Sequence, residues 1–190
     1  MNLFPRKMLL LLGAMFLIGL GTTEAQQKKQ RESVGEKAEQ AVSSEVSKLI
    51  EYGKELLGRR YRSRGPGGIT LDCSGFVNYV FSRLNINLPR SSSAMSGFTK
   101  RVAQDDIRPG DLLYFTGRSA GSRRVGHVGM VISVDGDDVS MIHSSTSRGV
   151  IIEKYNRSAY FSRRYLGAGR VEALSRLISN STAEATEEMN

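Results

Sequence analysis

The hydrophobic pattern of this chain changes its period once, near Pro109-Gly110. Before that point, apolar residues recur at helical spacing, in residues 46–57 and again in residues 76–84. After it, short apolar runs rich in β-branched residues alternate with glycine, serine and aspartate, which is typical of strands and turns. Helices that precede antiparallel strands predict an α+β domain. We place this domain at residues 44–172.

Two helices are predicted in the first half of the domain. Ser44 is a candidate N-cap of the first helix, and Gly58 is its stop signal. Residues 62–70 read as a glycine-rich loop, and the second helix begins near Ser74. The apolar face of the first helix comprises Val46, Leu49, Ile50, Leu56 and Leu57, and that of the second comprises Phe76, Val77, Val80, Phe81 and Leu84. A shorter helical segment follows Pro89.

The second half of the domain predicts an antiparallel sheet. Residues 135–138 carry a hairpin signal between two of its strands. The tail at residues 173–190 is polar, and we expect it to be disordered. The predicted strands are residues 111–115, 127–134, 139–143, 149–153 and 165–171.

The N-terminus predicts export. Arg6 and Lys7 precede the 13-residue apolar run Met8–Leu20, and small residues lead to Ala25. A transmembrane anchor needs about 20 apolar residues, so the pattern favours a signal peptide at residues 1–25. No cysteine lies near the cleavage site, so we expect no lipid anchor and no membrane segment after cleavage. The polar residues 26–43 then read as a linker, and the expected location is the periplasm or the exterior.

The net charge of +8 bears on which macromolecules this chain could bind. The signal peptide accounts for only +1 of this charge, and the remaining basic residues are scattered along the chain. Without a nucleic-acid motif, the excess does not predict nucleic-acid binding. For an exported protein it is consistent with an anionic polymer such as a cell wall, with a membrane surface, or with solubility alone.

Cys73 is the only cysteine of the chain, so it cannot form an intramolecular disulfide. A leftover exported cysteine indicates intermolecular pairing or a reactive thiol. Cys73 lies at the predicted start of a helix, whose positive end favours the thiolate and a pKa below the free value of about 8.5. The alternative is a buried and inert thiol, which is common for single cysteines.

The two histidines of the chain lie on neighbouring predicted strands. His127 begins one strand and His143 ends the next, so both belong to the same end of the sheet. With Cys73 they form a candidate nucleophile, base and orienting residue. A two-residue turn at Gly136-Asp137 would pair His143 with Met130, however, so a bulge or a strong twist is needed to bring the rings together. Ordinary structural roles for both histidines remain an alternative.

Six short motifs resemble those of a known family, the NlpC-type cell-wall endopeptidases, which are papain-like cysteine peptidases of bacteria. The resemblance covers residues 46–171 and implies a papain-like core, with N-terminal helices packed on a small antiparallel sheet. The motifs are Gly58-Arg59-Arg60-Tyr61, Asp72-Cys73-Ser74-Gly75-Phe76-Val77, Leu88-Pro89-Arg90-Ser91, Arg108-Pro109-Gly110-Asp111-Leu112, His127-Val128-Gly129 and Met141-Ile142-His143.

The resemblance implies roles for individual residues. Cys73 would be the nucleophile, His127 the general base and His143 the residue that orients His127. The family usually has two glycines three and four residues after its tyrosine, whereas this chain has Arg64-Gly65, which changes the expected substrate cleft. Four further residues would bind substrate: Tyr61, Asp72, Ser74 and Arg90.

The activity implied by the resemblance is murein endopeptidase. Cys73 would cleave a stem peptide or crosslink of peptidoglycan, at a D-glutamyl–diaminopimelate or a D-alanyl–diaminopimelate bond, through an acyl-enzyme. The absence of a repeat or wall-targeting module resembles the single-domain Spr-type crosslink hydrolases of Gram-negative bacteria. No metal or organic cofactor is expected, because two histidines without a cysteine cluster do not make a usual zinc site.

Two other classes of function remain open at this point. One is a wall-binding module without activity, which the complete Cys73, His127 and His143 set disfavours. The other is a papain-like lipid acyltransferase or thioesterase, which the Asp-Cys-Ser-Gly and Arg-Pro-Gly-Asp motifs disfavour. The oligomeric state is left open.

Overall fold

A six-stranded antiparallel sheet with helices packed against it forms the domain. The computed structural model of the chain describes residues 44–63 and 70–187. Helix α1 covers residues 44–54. The later elements are α2 (Cys73–Ser82), α3 (Ser92–Phe98), β1 (Lys100–Val102), a 3₁₀ turn (Gln104–Asp106), β2 (Leu112–Thr116), β3 (Val125–Asp135), β4 (Asp138–Ser145), β5 (Gly149–Lys154), α4 (Ala159–Ser162), β6 (Tyr165–Arg170) and α5 (Glu172–Glu187).

The sheet has the strand order β1-β6-β2-β3-β4-β5 and every pair is antiparallel. The predicted α+β class is confirmed, as are the five predicted strands and the helix after Cys73. Strand β1 was not predicted, because three residues are too few to show an alternating pattern. Within α1, Ser44 already lies inside the helix rather than capping it. Leu57 was expected on the buried face but is exposed, because the helix ends before it and residues 55–58 form a turn.

The expectation of disorder for residues 173–190 is wrong for residues 173–187, which belong to helix α5. The physical reason is an apolar stripe at helical spacing that the polar composition obscured. Leu174 is buried in the main core, and Ile178, four residues later, packs against the same cluster. The folded domain therefore continues past residue 172.

Among the residues that the structure describes, two apolar clusters lie against the sheet. The larger cluster contains the buried faces of α1 and α2 and alternate residues of the central strands, such as Val128 and Met130. The smaller cluster contains the intervening residues, such as Phe115 and Val131, together with Phe161 of α4. Because successive side chains of a strand point to opposite faces, the central strands are buried on both sides.

An ion pair joins the start of β2 to the end of β6. The Asp111 carboxylate is 2% exposed and accepts two hydrogen bonds from the Arg170 guanidinium, each 2.8 Å long. It also accepts one from the Arg108 backbone N–H, at 2.8 Å. Three donors satisfy a buried carboxylate that would otherwise be costly to desolvate. This explains why an aspartate follows Pro109-Gly110, where the chain turns into the sheet.

Several predictions from the sequence lie outside the described residues. These are the signal peptide at residues 1–25, the linker at residues 26–43, and Arg64-Gly65. Among residues 44–63 and 70–187, no helix is both long enough and apolar enough to cross a bilayer.

We expect Arg170→Met to lower the free energy of unfolding by about 3–5 kcal/mol, because it leaves the Asp111 carboxylate buried without its cation. Urea denaturation measures this change. Arg157→Met is the matched control, because Arg157 pairs with Asp138 at the surface and is 67% exposed. The control should cost no more than about 1 kcal/mol. Equal losses in the two variants would contradict a structural role for the Arg170 pair.

Candidate active site

Cys73 is the first residue of α2, as the sequence predicted. The Asp72 side chain caps this helix and accepts a 2.7 Å hydrogen bond from the Gly75 backbone N–H. A side chain at Gly75 would collide with the backbone and hydroxyl of Thr70. The Asp-Cys-Ser-Gly sequence therefore allows the chain before the helix to lie directly against the first helical turn that carries the thiol.

Asp72, Ser74 and Arg90, which were predicted to bind substrate, bind one another. Arg90 donates to both Asp72 oxygens, at 3.2 and 3.0 Å, and to Ser74 Oγ at 3.2 Å. It also donates to the Thr70 hydroxyl. Burial opposes ionisation of Asp72, but Arg90 and the Gly75 N–H outweigh it and hold the pKa of Asp72 below its ordinary value. This network fixes the helix start, and contact of these residues with substrate stays a prediction.

The chain that precedes the thiol is attached to the edge of the sheet. Gly58 has φ 76° and donates its backbone N–H to Val150 O at 2.9 Å, while Val150 donates to Arg59 O at 2.9 Å. These bonds direct Tyr61 toward the strand ends that carry the histidines. Farther along, the buried Ser144 hydroxyl donates to Leu71 O at 2.6 Å.

A β-bulge sets the positions of the histidines. The β3–β4 register pairs Ser133 with Ser140 but Val131 with Met141, so β3 has one extra residue between these pairs. Beyond the bulge Met130 pairs with Ile142, which places His143 beside Gly129, two residues from His127. An even offset puts both rings on one face of the sheet. Of the two features that the sequence analysis named, a bulge or a strong twist, the bulge is present.

The two histidines and a carboxylate form a continuous hydrogen-bonded row. His127 Nε2 lies 3.0 Å from His143 Nδ1, and the rings are nearly perpendicular, at 89°. His143 is 1% exposed, and its Nε2 lies 2.7 Å from Glu153 Oε1. Arg148 donates to the same oxygen at 2.9 Å. The sequence reasoning missed Glu153 and Arg148; the detectable signal was an acidic residue within the otherwise apolar strand GVIIE.

Burial keeps both rings neutral near pH 7. Burial first, and then the neighbouring His143, lower the pKa of His127 to about 3. Burial also lowers the pKa of His143, although the hydrogen bond and the charge of Glu153 oppose the change. A neutral imidazole has one donor and one acceptor nitrogen, so His127 can accept a proton.

The Cys73 thiol does not have the lowered pKa that the helix N-terminus predicted. Burial, followed by the Asp72 charge, raises the pKa of Cys73, and the backbone N–H groups of Val128 and Ser74 only partly offset this. The thiol thus lies against the residue next to His127. Within the described parts of the chain no hydrogen bond joins the thiol to the His127 ring. Near pH 7 both the Cys73 thiol and the His127 imidazole are therefore neutral.

A cleft of about 590 Å³ opens over the histidines. Tyr61, His127 and His143 line it, together with Arg118, Tyr160 and Phe161. Cys73 is not among its lining residues, but burial and then the charges of Cys73 and Asp72 raise the pKa of Tyr61, which places the tyrosine close to the thiol. At neutral pH the Tyr61 hydroxyl therefore keeps its proton and can donate a hydrogen bond.

Fold and site together define a class: an α+β protein with a cysteine at a helix N-terminus, against the Val128 backbone, and a hydrogen-bonded histidine pair on the same antiparallel sheet. The family model described as the NlpC/P60 family matches residues 58–170. This chain belongs to the NlpC/P60 family, and the predicted resemblance and papain-like fold are confirmed.

Two of the proteins similar in sequence are enzymes whose names denote different activities. The chain is 37% identical over 143 residues to a gamma-DL-glutamyl hydrolase of Bacillus subtilis, a match that covers 72% of this chain and 32% of the relative. It is 36% identical over 126 residues to the murein DD-endopeptidase MepS/murein LD-carboxypeptidase of Escherichia coli, covering 66% of this chain and 62% of the relative. The chain thus spans less than two thirds of either relative.

Solved structures share the fold. An NlpC/P60 family protein from Bacillus cereus superposes with a TM-score of 0.58 at 33% identity, covering 66% of this chain and 40% of that one. The peptidoglycan hydrolase RipB of Mycobacterium tuberculosis gives a TM-score of 0.52 at 18% identity, covering 79% and 86%.

We expect Gly129→Ala to lower the free energy of unfolding by about 1–3 kcal/mol, the usual cost of overpacking. A methyl group at residue 129 would lie 2.9 Å from Met141 Sδ and 3.2 Å from His143 Cβ. Gly97→Ala in α3 is the matched control, because its methyl group would meet no atom within 4 Å. Chemical denaturation should show no loss for the control. A Gly129→Ala protein as stable as the control would refute the close approach of β3 to His143.

We expect stability to fall as the pH drops below about 6.5, the ordinary histidine pKa. The lowered folded pKa values mean that the unfolded chain binds more protons below pH 6.5, while above it the histidine contribution is fully present. Each histidine adds a slope of at most about 1.4 kcal/mol per pH unit until the folded pKa is reached. Denaturation of wild type and of a His127→Asn/His143→Asn double variant between pH 7.5 and 5 compares the slopes. Parallel profiles would show that the histidines are not buried in neutral form.

Proposed function

We propose that this chain is an exported cysteine peptidase that cleaves peptide bonds of peptidoglycan. The observation that carries the proposal is the histidine pair, with His127 Nε2 held 3.0 Å from His143 Nδ1, while the Cys73 thiol lies against the backbone of Val128, the next residue after His127. The bond to His143 fixes the His127 ring and leaves its second nitrogen, Nδ1, for the Cys73 thiol. Membership of a family with a murein endopeptidase of E. coli among the relatives supports the substrate class.

The reaction begins with proton transfer from the Cys73 thiol to His127 as the sulfur attacks the substrate carbonyl carbon. General-base assistance of this kind suits a site that rests as a neutral pair. The raised thiol pKa makes the base necessary, because little thiolate forms before substrate binds. The tetrahedral intermediate carries its negative charge on the former carbonyl oxygen.

Two donors are available for that oxyanion. The Cys73 backbone N–H is at the start of α2, where helical N–H groups have no intrahelical partner. The Tyr61 hydroxyl, which keeps its proton, is the second. Collapse of the intermediate breaks the C–N bond, and the protonated His127 gives its proton to the leaving amine. Water, deprotonated by His127, then releases the acyl group from Cys73.

The cleft has features suited to an anionic peptide. The stem peptides of peptidoglycan carry free carboxylates, and Arg118 lines the cleft beside the histidines. Aromatic side chains at Tyr160 and Phe161 offer apolar surface to the peptide. The predicted signal peptide at residues 1–25 would deliver the enzyme to the periplasm or the exterior, where this substrate is found.

We expect Cys73→Ser to reduce peptidoglycan cleavage by several orders of magnitude without unfolding the protein, because a serine hydroxyl is a far weaker acid than a thiol. Purified protein is incubated with intact peptidoglycan, and mass spectrometry identifies both the products and the bond that is cut. Ser82→Ala, at the exposed end of the same helix, is the control and should remain active.

The outcomes separate the alternatives. Cleavage by a folded Cys73→Ser protein would remove Cys73 from the mechanism. No cleavage by wild type, with retained binding to peptidoglycan, would favour a wall-binding module. Release of acyl groups from lipids but not of peptides from peptidoglycan would favour the acyltransferase or thioesterase alternative.

A further inference from the structure

Glu153 extends the row of polar groups beyond the two histidines. Strand β5 pairs Glu153 with Met141 and Ile151 with His143, so Glu153 lies diagonally across from His143 on the same face. Its carboxylate is 2.7 Å from His143 Nε2 and 2.9 Å from the Arg148 guanidinium. The Glu153 side chain is 19% exposed and that of Arg148 57%, so the pair lies at the wall of the cleft.

The chemistry of these groups fixes the direction of each hydrogen bond. An ionised carboxylate only accepts, so His143 Nε2 must carry a proton and donate it to Glu153. A neutral His143 then has an acceptor at Nδ1, and His127 Nε2 must donate across the 3.0 Å contact. The proton of His127 is thereby assigned to Nε2. Its Nδ1 is left with a lone pair.

These tautomer assignments hold because burial keeps His143 neutral. If His143 were an imidazolium, both its nitrogens would donate and the tautomer of His127 would be reversed. Burial lowers the pKa of His143 and keeps it neutral near pH 7. Arg148 supports the same assignment. Its guanidinium donates to the Glu153 oxygen that faces His143, which favours the ionised carboxylate and keeps that oxygen an acceptor.

We propose that Glu153 is a positioning residue that acts through His143 to hold His127 in the tautomer that accepts the Cys73 proton. The role rests on the proposed peptidase function, in which His127 is the base. During attack the proton leaves Cys73 Sγ for His127 Nδ1, and the resulting imidazolium keeps its Nε2 bond to His143. The Glu153 charge stabilises this imidazolium through the His143 ring.

The tautomers can be read directly, because the chain contains only two histidines. Histidine is labelled with ¹⁵N in the full-length protein, and long-range ¹H–¹⁵N spectra at pH 7.5 distinguish protonated from unprotonated ring nitrogens. His127→Gln assigns the two rings. Both rings of the wild type should be protonated at Nε2. Protonation of His127 at Nδ1 in the wild type would overturn the proposal, whatever the variants do.

Two substitutions separate the acceptor from the charge. In Glu153→Gln the amide oxygen still accepts from His143 and Arg148, so the tautomers should persist while kcat falls about tenfold. In Glu153→Leu the acceptor is gone, so the His143 tautomer should become mixed. The value of kcat should fall by up to about 100-fold, the upper range for groups that orient metal-binding histidines. KM should change less than kcat in either variant, because the Glu153 carboxylate is bound by His143 and Arg148.

Lys154→Leu is the matched control on the same strand. It removes the ion pair with Asp138, away from the cleft, and should leave kcat and both tautomers unchanged. Unchanged tautomers and a kcat within about twofold of wild type in Glu153→Leu would overturn the proposal. If Glu153→Leu does not fold, the wild-type spectrum and the Glu153→Gln kinetics still decide.

The spectra require no substrate, so the two proposals can fail separately. The expected tautomers in a protein that cleaves no peptidoglycan would refute the peptidase function alone. Efficient cleavage by a protein whose His127 is protonated at Nδ1 would refute the role of Glu153 alone.

Discussion

The single extra residue in β3 determines whether the histidines can act together. Strand side chains alternate between faces, so moving the pairing of β3 and β4 by one residue would place the two rings on opposite sides of the sheet. The bulge between Val131 and Ser133 removes that mismatch. Gly129 completes the arrangement, because any side chain there would press on Met141 and His143. The hydrogen bonds between His127, His143 and Glu153 therefore depend on the backbone register of β3 and β4.

The first turn of α2 shows a conflict between holding a thiol in place and making it acidic. Asp72 caps the helix and fixes Arg90, but its charge also raises the pKa of the adjacent Cys73. Burial acts in the same direction. A neutral thiol is less exposed to unwanted oxidation than a thiolate, since oxidation of cysteine follows thiolate character. In the proposed mechanism, the thiol ionises only when substrate is bound and His127 takes its proton.

Much of the fold could be predicted from the sequence because the period of its apolar residues changes at a defined place. The strands were visible as β-branched runs, and Cys73, His127 and His143 were visible as rare residue types. The sequence could not locate the bulge, because Ile132 looks like any other strand residue. Nor did it reveal Glu153, whose partner is set by the β4–β5 register, or the packing of α5, whose apolar residues lie among many polar ones. The sign of the Cys73 pKa shift was missed because burial is a property of the folded state.

The bonds that join Gly58 and Arg59 to Val150 also affect how copies of this protein meet one another. An exposed strand edge is a template for pairing with a second molecule. These bonds occupy part of the β5 edge with the chain's own backbone. The opposite edge, β1, is only three residues long and carries Lys100 and Arg101. Both features shorten the strand edge that a second folded copy could extend, which disfavours edge-to-edge aggregation.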